Sequence, residues 1–576
     1  MNDSTKPGDV PLPTSRREFV GATIASAIGL SLGGRDGVPS PIARRPSSRA
    51  EVDVRRAPDL VAVQTDTTVV RLQPSGSERW TADDLVVTTT PGADALTVTL
   101  AAPRTAVRRV HFRWRGSLAD VRLVAGDAWE RGYGDLEWRG LAPDRVMPWY
   151  VATTDGSRTT TYGVRTGARA LCAWQVDSDG VSLWADVRSG GVGVQLGPRT
   201  LHVCDVLARP GRDDESAFAA LRAFCGQLCA TPRLPAQPVY GHNDWYWAYG
   251  DNSARSVLDD AHRIVELAPT GSNRPIVVID DGWQPGRGRD RAGAGTWDRG
   301  NEKFPDMARL AADVRQAGAR PGIWIRPLEA PERAPDGWRL PREHASLDPT
   351  VPEVRQKIVD DVARLRQWGF DLVKHDYSTW DILGRWGFQM EGALTRDGWT
   401  FAEGPRRTTA EVIDDLYAAI RGAAGDGLVI GCNTISHLSA GRFEMCRIGD
   451  DTSGTEWPRT RKMGVNSLAF RAAQQGTFYV ADPDCAPVTT HVPWTLARQW
   501  LDLVARSGTM CFVSIAADAL GAAERRDVVA ALALAAAPQP LAEPLDWERT
   551  LCPSRWRVTG GERSYDWIPL EGAGLG

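Results

Sequence analysis

The chain has 576 residues, enough for about two to four domains with sizeable cores. Its composition, 42% hydrophobic and 24% charged, is ordinary for a globular protein, and a net charge of -4 does not indicate a nucleic-acid partner. The 23 tryptophans outnumber the 12 phenylalanines and 10 tyrosines, a mild indication of sugar binding, although tryptophan also fills cores. The nine cysteines lack metal-type spacing, so we expect buried free thiols and no metal.

Residues 1–50 are predicted to be an export signal and a linker. The pair Arg16-Arg17 precedes a short, weakly apolar run at 21–34, an order that resembles a twin-arginine signal. The run is too short for a comfortable membrane span. We therefore expect export to the periplasm or the extracellular space, with no membrane contact once the signal is removed. A basic disordered tail is the alternative.

Residues 51–231 are predicted to form an N-terminal antiparallel β-sandwich. Short alternating runs broken by turns fill this stretch, and helical periodicity is nearly absent until its end. Representative runs lie at 68–72, 95–100, 110–114 and 180–187. A helix is expected over 213–229, and the proline-bounded segment 232–238 is the predicted boundary.

From residue 232 to residue 540 the pattern changes to strand, loop and helix. The predicted strands are the apolar runs 239–246, 275–281, 322–327, 371–377, 428–434, 443–451, 477–482 and 510–515. Amphipathic segments such as 256–267 and 307–317 lie between most of them. Eight β-α units predict an α/β fold, a (β/α)8 TIM barrel. The connection between the fifth and sixth strands, at 435–442, is short for a helical crossover.

The predicted strands end in polar, acidic and aromatic side chains. Because the carboxyl ends of parallel strands meet at one rim, these residues would line a single pocket. They are Asn243, Asp244, Trp245, Asp280, Asp281, Trp283, Arg326, Glu329, Lys374, Asp376, Cys432, Asn433, Arg447, Asp450, Asp451, Asp482 and Asp484. Carboxylates with aromatic rings, without a metal set or a phosphate loop, favour a site that cleaves sugars. Ion-paired scaffolding is the alternative.

Asp376 is the candidate nucleophile of this pocket. It ends a short apolar run that stops abruptly in Lys374, His375 and Asp376. Lys374 lies two residues earlier and therefore on the same face of the strand, so its ammonium group would keep the Asp376 carboxylate ionised. An ordinary salt bridge at a strand end is the alternative.

At these residues the chain resembles the retaining α-galactosidase clan, glycoside hydrolase families 27 and 36, and particularly family 36 with its melibiase and raffinose-synthase relatives. The motifs are Gly-His-Asn-Asp-Trp at 241–245, Ile-Asp-Asp-Gly-Trp-Gln at 279–284, Lys-His-Asp-Tyr at 374–377, Arg-Ile-Gly-Asp-Asp at 447–451 and Asp-Pro-Asp at 482–484. The resemblance covers about residues 239–515. It implies a barrel that follows a β-sandwich.

The resemblance also implies a role for ten side chains. Asp376 would be the nucleophile and Asp451 the general acid/base. The substrate-binding residues would be Trp245, Asp280, Asp281, Trp283, Lys374, Asn433, Arg447 and Asp484. Asp280 and Asp281 would hold the O4 and O6 hydroxyls, Trp245 would stack on the sugar, and Asn433 would lie in the region that contacts O2. No cofactor and no metal are implied.

The expected activity is that of an exo-acting retaining hydrolase, which removes terminal galacto-configured α-glycosides from an oligosaccharide or another glycoside. The negative charge of Asp450 would raise the pKa of Asp451, as an acid catalyst requires. Three alternatives stay open: a transglycosylase of the raffinose-synthase type, a glycosidase for an α-N-acetylgalactosaminide or β-L-arabinopyranoside, and a non-catalytic carbohydrate-binding protein. The oligomeric state does not follow from the sequence.

Residues 541–576 follow the predicted barrel. Their sequence shows no clear strand pattern. We therefore expect a short, irregular C-terminal segment, and we expect the C-terminal β-domain that is usual in family 36 to be nearly absent.

Overall fold

The computed structural model describes residues 52–287, 292–341, 346–569 and 572. The expected export signal and linker, residues 1–50, therefore lie outside the described residues. The first described region is built from 14 strands: β1 (Leu60–Thr65), β2 (Val69–Arg71), β3 (Gln73–Pro74), β4 (Arg79–Ala82), β5 (Leu85–Pro91), β6 (Leu96–Ala101), β7 (Val107–Arg115), β8 (Leu123–Gly126), β9 (Met147–Pro148), β10 (Tyr150–Thr154), β11 (Thr159–Val164), β12 (Leu171–Asp177), β13 (Gly180–Asp186) and β14 (Thr200–Arg209).

These strands form two antiparallel sheets, as the alternating pattern predicted. One has the order β2-β1-β7-β13-β12-β9, and the other has the order β3-β4-β5-β6-β14-β11-β10-β8. In β6, Leu96, Val98 and Leu100 are buried while the threonines between them are half-buried, because successive side chains of a strand face opposite ways. Each of the four representative runs contains all or part of a strand. We call this region the antiparallel half.

The second region is a parallel sheet of nine strands. They are β15 (Tyr240–Asn243), β16 (Ile276–Ile279), β17 (Arg320–Ile325), β18 (Leu372–His375), β19 (Leu428–Gly431), β20 (Met445–Arg447), β21 (Val480–Asp482), β22 (Ala486–Val488) and β23 (Cys511–Ile515). All eight predicted strands are confirmed, with bounds a few residues shorter or shifted. Every residue of β16 is buried, which explains its continuous apolar sequence, since helices cover a parallel sheet.

The parallel sheet curls. Its order is β21-β20-β19-β18-β17-β16-β15-β23-β22, so β21 and β22 are its two edges. Because β21 ends at Asp482 and β22 begins at Ala486, three residues join one edge to the other. A chain of that length spans at most about 14 Å, and the two edges therefore lie close together.

Helices connect most of these strands. They are α1 (Ala217–Leu228), α2 (Trp245–Ala248), α3 (Ala254–Leu267), α4 (Met307–Ala317), α5 (Pro352–Gln367), α6 (Ser378–Leu383), α7 (Gly387–Met390), α8 (Thr409–Ala423), α9 (Ser436–Ser439), α10 (Trp457–Thr460), α11 (Ser467–Arg471), α12 (Trp494–Arg506) and α13 (Ala522–Ala535). The short connection between the fifth and sixth strands contains only α9, a single turn. Trp245 begins α2 instead of ending the first strand.

The C-terminal segment is not irregular, which corrects the sequence prediction. It forms a small antiparallel sheet of β24 (Glu543–Pro544), β25 (Arg555–Val558) and β26 (Gly561–Ser564). Trp556, on β25, is fully buried, and its burial on one face stabilises such short strands. Within the described ranges, no helix has both the length and the apolar character needed to cross a membrane.

Candidate active site

The carboxyl ends of the parallel strands bring the expected side chains to one rim. Asp280 follows β16, Lys374 lies near the end of β18, Asp376 follows β18 directly, and Arg447 ends β20. Arg447 is paired in register with Asp482 of β21. The shared direction of the strands explains this gathering, because residues far apart in sequence leave the sheet at the same end.

Asp376 is nearly buried and is held by two N–H groups. The indole Nε1 of Trp324 donates to its Oδ2 at 3.0 Å, and the backbone N–H of Tyr377 donates to its Oδ1 at 2.8 Å. Tyr377 has a φ of 66°, a left-handed conformation that non-glycine residues seldom adopt. The two donors fix the direction of the carboxylate.

The phenol of Tyr377 lies within the field of three carboxylates. Burial raises the pKa of its hydroxyl, and the charges of Asp376, Asp451 and Asp281 raise it further against the opposing effect of Arg326. These three acids leave the sheet after β18, β20 and β16. The structure thus brings together the expected nucleophile, the expected acid/base and one expected sugar-binding carboxylate.

The shortest ion pair of Lys374 is with Asp280 and not with Asp376. Its Nζ lies 2.6 Å from Oδ2 of Asp280, and Nδ2 of Asn243 donates to the same oxygen at 2.8 Å. Asp376 acts on Lys374 only as a weaker, more distant charge. The shortest ion pair of Lys374 therefore crosses from β18 to the end of β16.

Asp281 is the more open acid at the end of β16. Its carboxylate accepts hydrogen bonds from Nε2 of Gln284 at 2.5 Å and from Nε of Arg287 at 3.0 Å. Gly282 follows with a φ of 129°, so the chain turns at the rim. Trp245 is half-buried, and the Arg287 guanidinium lies 5.9 Å from the centre of its ring. These residues form one wall of the rim.

Arg447 is the centre of an acidic cluster. It is 2% exposed, and its guanidinium contacts Asp482 at 3.1 Å, Asp451 at 3.1 Å and Asp484 at 2.9 Å. One buried cation is thus shared among three carboxylates. The shared guanidinium holds the three acids in place at close range.

Asp451 has a lowered pKa, which contradicts the expected effect of Asp450. Burial by itself would raise the pKa of Asp451, but the positive charges of Arg131 and Arg447 outweigh burial and lower the pKa to about 2. Asp450 does not act on it as a free charge, because Arg131 and Arg459 pair with it at 2.7 and 2.8 Å. These two arginines therefore favour the charged form of Asp451.

Three of the expected substrate-binding residues are buried. Trp283 is fully buried and its Nε1 donates to the Trp324 carbonyl at 2.9 Å. Asn433 is also fully buried, and its amide is engaged by Glu130 and by the Trp380 N–H. The third residue is Asp484. It is 1% exposed and accepts hydrogen bonds from Thr452 and Tyr246. The polar groups of these three side chains are thus engaged by other groups of the protein.

The antiparallel half contributes residues that the sequence reasoning missed. Glu130 and Arg131 lie in the loop between β8 and β9, where no motif or strand end marked them. Glu130 accepts hydrogen bonds from Asn433 at 2.5 Å and from the Gly387 N–H at 2.8 Å. Arg131 contacts both Asp450 and Asp451. No local sequence signal pointed to these two residues, since both act across about 300 positions.

Aromatic rings form a second wall beside the carboxylates. Trp380 and Trp386 are stacked with their ring centres 4.8 Å apart, and Trp386 meets Tyr377 edge-on at 5.6 Å. Tyr133 meets the exposed ring of Phe388 edge-on at 4.9 Å. Apolar ring faces beside carboxylates are suited to sugar rings. Within the ranges that the structure describes, no group of three or more side chains is arranged to hold a metal ion.

Comparison with curated proteins finds α-galactosidases. No protein-family model matches the chain. A stretch of 215 residues, 34% of this chain and 22% of the relative, is 30% identical to a bifunctional α-galactosidase/sucrose kinase from Mediterraneibacter gnavus. A stretch of 128 residues, 21% of this chain and 16% of the relative, is 30% identical to the α-galactosidase AgaA of Geobacillus stearothermophilus. The matches thus span about a fifth of the length of these relatives.

Solved structures of α-galactosidases share the fold. The α-galactosidase of Thermus thermophilus, solved with p-nitrophenyl α-D-galactopyranoside, has a TM-score of 0.56 at 18% identity over 88% of this chain and 99% of its own. A variant of Geobacillus stearothermophilus AgaA, a family 36 α-galactosidase solved with 1-deoxygalactonojirimycin, has a TM-score of 0.53 at 15% identity over 83% of this chain and 75% of its own. The resemblance to the family 36 α-galactosidases is confirmed by these comparisons.

Proposed function

We propose that this protein is an exo-acting retaining glycoside hydrolase that cleaves terminal galacto-configured α-glycosides, as an α-galactosidase does. The observation that carries the proposal is the gathering of Asp376, Asp451 and Asp281 around Tyr377, at the carboxyl ends of three parallel strands. The matched curated relatives and the solved structures of similar fold, all α-galactosidases, support it. Its substrate is an oligosaccharide or another glycoside.

The first chemical step is attack on the anomeric carbon. Asp376 supplies the electron pair, and a covalent glycosyl ester forms while the bond to the leaving oxygen breaks. The two N–H groups on Asp376 orient the carboxylate for this attack. Asp451 gives a proton to the departing oxygen. Because Arg131 and Arg447 lower the pKa of Asp451, this carboxylate takes up the proton from solvent before donating it to the departing oxygen.

The second step releases the sugar. Asp451, now ionised again, removes a proton from water, and the hydroxide oxygen attacks the anomeric carbon of the ester. Asp376 leaves as a carboxylate. Two inversions give net retention of configuration. The low pKa of Asp451 suits this second step, in which the group acts as a base.

The acids at the end of β16 favour a galacto-configured sugar. An axial O4 places the O4 and O6 hydroxyls on the same side of the ring, where two neighbouring carboxylates accept from both. Asp280 already holds Lys374 and Asn243, so Asp281, which is more exposed, carries most of this recognition. A site built to bond a hydroxyl rejects the epimer because its acceptors are left unpaired.

We also propose the finer architecture that the sequence predicted. The close approach of β21 and β22 supports a closed (β/α)8 barrel. In this barrel the two short strands together occupy the position of the seventh strand. One continuous core contains buried residues from both antiparallel sheets, and this supports a β-sandwich.

The order of residues 14–34 supports export by a twin-arginine signal. Signal-dependent export of a fused reporter tests this proposal.

The test of the proposed function is turnover of a panel of nitrophenyl glycosides. We expect the α-D-galactoside to be cleaved at least on the order of 10³-fold better than the α-glucoside, with the α-N-acetylgalactosaminide and β-L-arabinopyranoside as the related sugars. Proton NMR of the first product identifies retention, and excess sugar acceptor detects transglycosylation. Equal cleavage of the α-glucoside would contradict the galacto assignment, and no turnover of any glycoside would contradict the enzymatic function.

A further inference from the structure

The loop between β8 and β9 runs from the antiparallel half into the rim of the parallel sheet. The N–H of Gly132 donates to the Ile448 carbonyl at 2.8 Å, and the N–H of Asp450 donates to the Gly132 carbonyl at 2.8 Å. These bonds form a parallel bridge between Gly132 and Gly449. The backbone of the loop is therefore joined directly to the segment that leads into Asp451.

The bridge places the side chain of Arg131 beside two carboxylates. Its Nη2 lies 2.7 Å from Oδ1 of Asp450, and its Nη1 lies 3.5 Å from Oδ1 of Asp451. The side chain is 7% exposed, and its guanidinium lies 5.8 Å from the ring centres of Tyr133 and Trp386. A charged group buried at this depth is retained only where it is paired, and both partners are acids of the site.

Charged and titratable groups face Asp451 from every surrounding element. They are Arg131 of the β8–β9 loop, Tyr246 of α2, Lys374 of β18, Tyr377 after β18, Arg447 of β20, the adjacent Asp450, Arg459 of α10 and Asp484 after β21. The other cations have further partners of their own. Lys374 pairs with Asp280, and Arg459 pairs with Asp450.

A substitution of Arg447 would affect more than Asp451, because Arg447 also pairs with Asp482 and Asp484. Arg131 differs from it in this respect. The carboxylates that its guanidinium pairs with are Asp450 and Asp451. Its charge therefore acts on the acid/base without supporting the acids after β21, and it comes from the antiparallel half instead of the barrel.

We propose that Arg131 is a positioning residue for Asp451, reaching over from the antiparallel half to hold the carboxylates of Asp450 and Asp451 in place. The inference rests on the proposed function, in which Asp451 is the general acid/base. Arg131 acts through Asp451 and does not touch the reacting atoms. A residue of the antiparallel half thereby influences the pH at which Asp451 is protonated.

The charge of Arg131 affects how readily the leaving oxygen is protonated. A cation at 3.5 Å favours the charged carboxylate, so it opposes protonation of the leaving oxygen and favours deprotonation of water. Removal of the Arg131 charge should raise the pKa of Asp451 by about one to three pH units. The effect on turnover should be confined to substrates that need the acid, and it should disappear when Asp451 is replaced.

The experiment measures the charge of Asp451 and the rate separately. Full-length protein with ¹³C at the aspartate carboxyl carbons is titrated by NMR, and the signal lost in Asp451→Asn identifies Asp451. We expect its pKa to be higher in Arg131→Gln. The basic limb of kcat/KM should move to higher pH by the same amount for methyl α-D-galactoside and stay in place for dinitrophenyl α-D-galactoside, in which the leaving group departs without protonation.

Matched variants separate charge from structure. Arg131→Lys keeps the charge and should keep the low pKa of Asp451, whereas Arg131→Met removes the charge and serves if Arg131→Gln does not fold. Arg139→Gln is the control, since Arg139 is 59% exposed and is paired at 3.7 Å with Glu137. It should leave both the titration and the pH profile unchanged.

The outcomes are distinct. An unchanged titration of Asp451 in folded Arg131→Gln or Arg131→Met would overturn the inference, whatever the activity. A raised pKa with the expected shift of the basic limb would support it. A raised pKa in a protein that turns over no glycoside would support control of Asp451 by Arg131 while contradicting the proposed function. The same shift of the basic limb with dinitrophenyl α-D-galactoside would also overturn it.

Discussion

At the scale of single residues, Asp376 owes its position to its two neighbours in space. The left-handed backbone of Tyr377 turns its N–H back toward the carboxylate. Such a conformation costs on the order of 1–3 kcal/mol and persists where the surroundings determine it. Here the Arg326 guanidinium lies 4.5 Å from the Tyr377 ring centre, and Trp324 and Trp386 meet the ring edge-on.

Replacement of Asp376 by glycine should abolish turnover and leave the fold intact. The carboxylate forms the covalent ester, and removal of such a group costs on the order of 10⁴-fold or more in kcat. Added azide fits the space that the carboxylate vacates and should restore part of the rate, giving a glycosyl azide of inverted configuration. The rate is measured with nitrophenyl α-D-galactoside, and NMR identifies the product.

The matched control lies at the other end of the same strand. Asp371→Gly removes a carboxylate that pairs with Arg315 and Arg320 before β18 begins, so it should keep most of the turnover. Activity of Asp376→Gly at the level of the unaltered protein, without azide, would remove Asp376 from the role of nucleophile.

At the scale of elements, the end of β16 shows how a strand places two adjacent acids at one rim. Neighbouring side chains of a regular strand face opposite ways. After β16 ends at Ile279, the chain bends, and Gly282 adopts a φ of 129°. A β-carbon at Gly282 would lie 2.4 Å from Oδ1 of Asn252 and 2.7 Å from the Gly250 carbonyl, so this turn requires glycine.

Gly282→Ala should destabilise the protein and weaken sugar binding. We expect a loss of about 1–3 kcal/mol in the free energy of unfolding, from backbone strain and the close contacts. KM for the α-galactoside should rise because Asp281 moves with the turn. Urea denaturation and steady-state kinetics measure the two effects. Gly271→Ala is the control, since a β-carbon there meets no atom within 4 Å, and an equal loss in both variants would contradict the argument.

At the scale of the whole molecule, the β8–β9 loop joins the two halves through buried polar contacts. Arg471 is fully buried and pairs with Asp127 at 2.8 Å, and its Nη1 donates to the Glu130 carbonyl at 2.8 Å. Breaking such a buried pair on one side typically costs about 3–5 kcal/mol. The position of Glu130 and Arg131 at the rim therefore depends on the contact between the halves.

Glu130 should make stability depend on pH. Burial raises its pKa from the ordinary value of 4.5 to about 7, against the lowering effect of Arg131. A raised folded-state pKa means that the folded protein binds the proton more tightly than the unfolded chain. The resulting stability is fully present below pH 4.5 and is lost as the pH rises through 7. The loss is about 3 kcal/mol, from 1.36 kcal/mol per pH unit.

Glu130→Gln tests this prediction by mimicking the protonated side chain. The free energy of unfolding between pH 4.5 and 7.5 should fall less in the variant than in the unaltered protein, by about 3 kcal/mol. Other titrating groups are common to both proteins and cancel in the difference. Glu78→Gln, at an exposed position, should show the unaltered pH dependence. Parallel curves for Glu130→Gln and the unaltered protein would contradict the argument.

The sequence by itself determined most of the parallel strands and the identity of the rim. Largely apolar runs predicted every strand from β15 to β23 except β22, because a strand buried on both faces needs apolar side chains on both. Residues directly after such a run leave the sheet at its carboxyl end, so Asp376 and Asp281 were predictable from their neighbours alone. The short connection through α9 was visible in the same way.

Only the tertiary structure decided which groups pair and which acid is charged. The partner of Lys374 is Asp280, 94 positions away, and Asn433 is turned inward by Glu130, 303 positions away. The charge of Asp451 is set by Arg131 and Arg447, one from each half of the molecule. Electrostatic interaction and desolvation depend on distance through space and on burial, and neither quantity is written in the local order of residues.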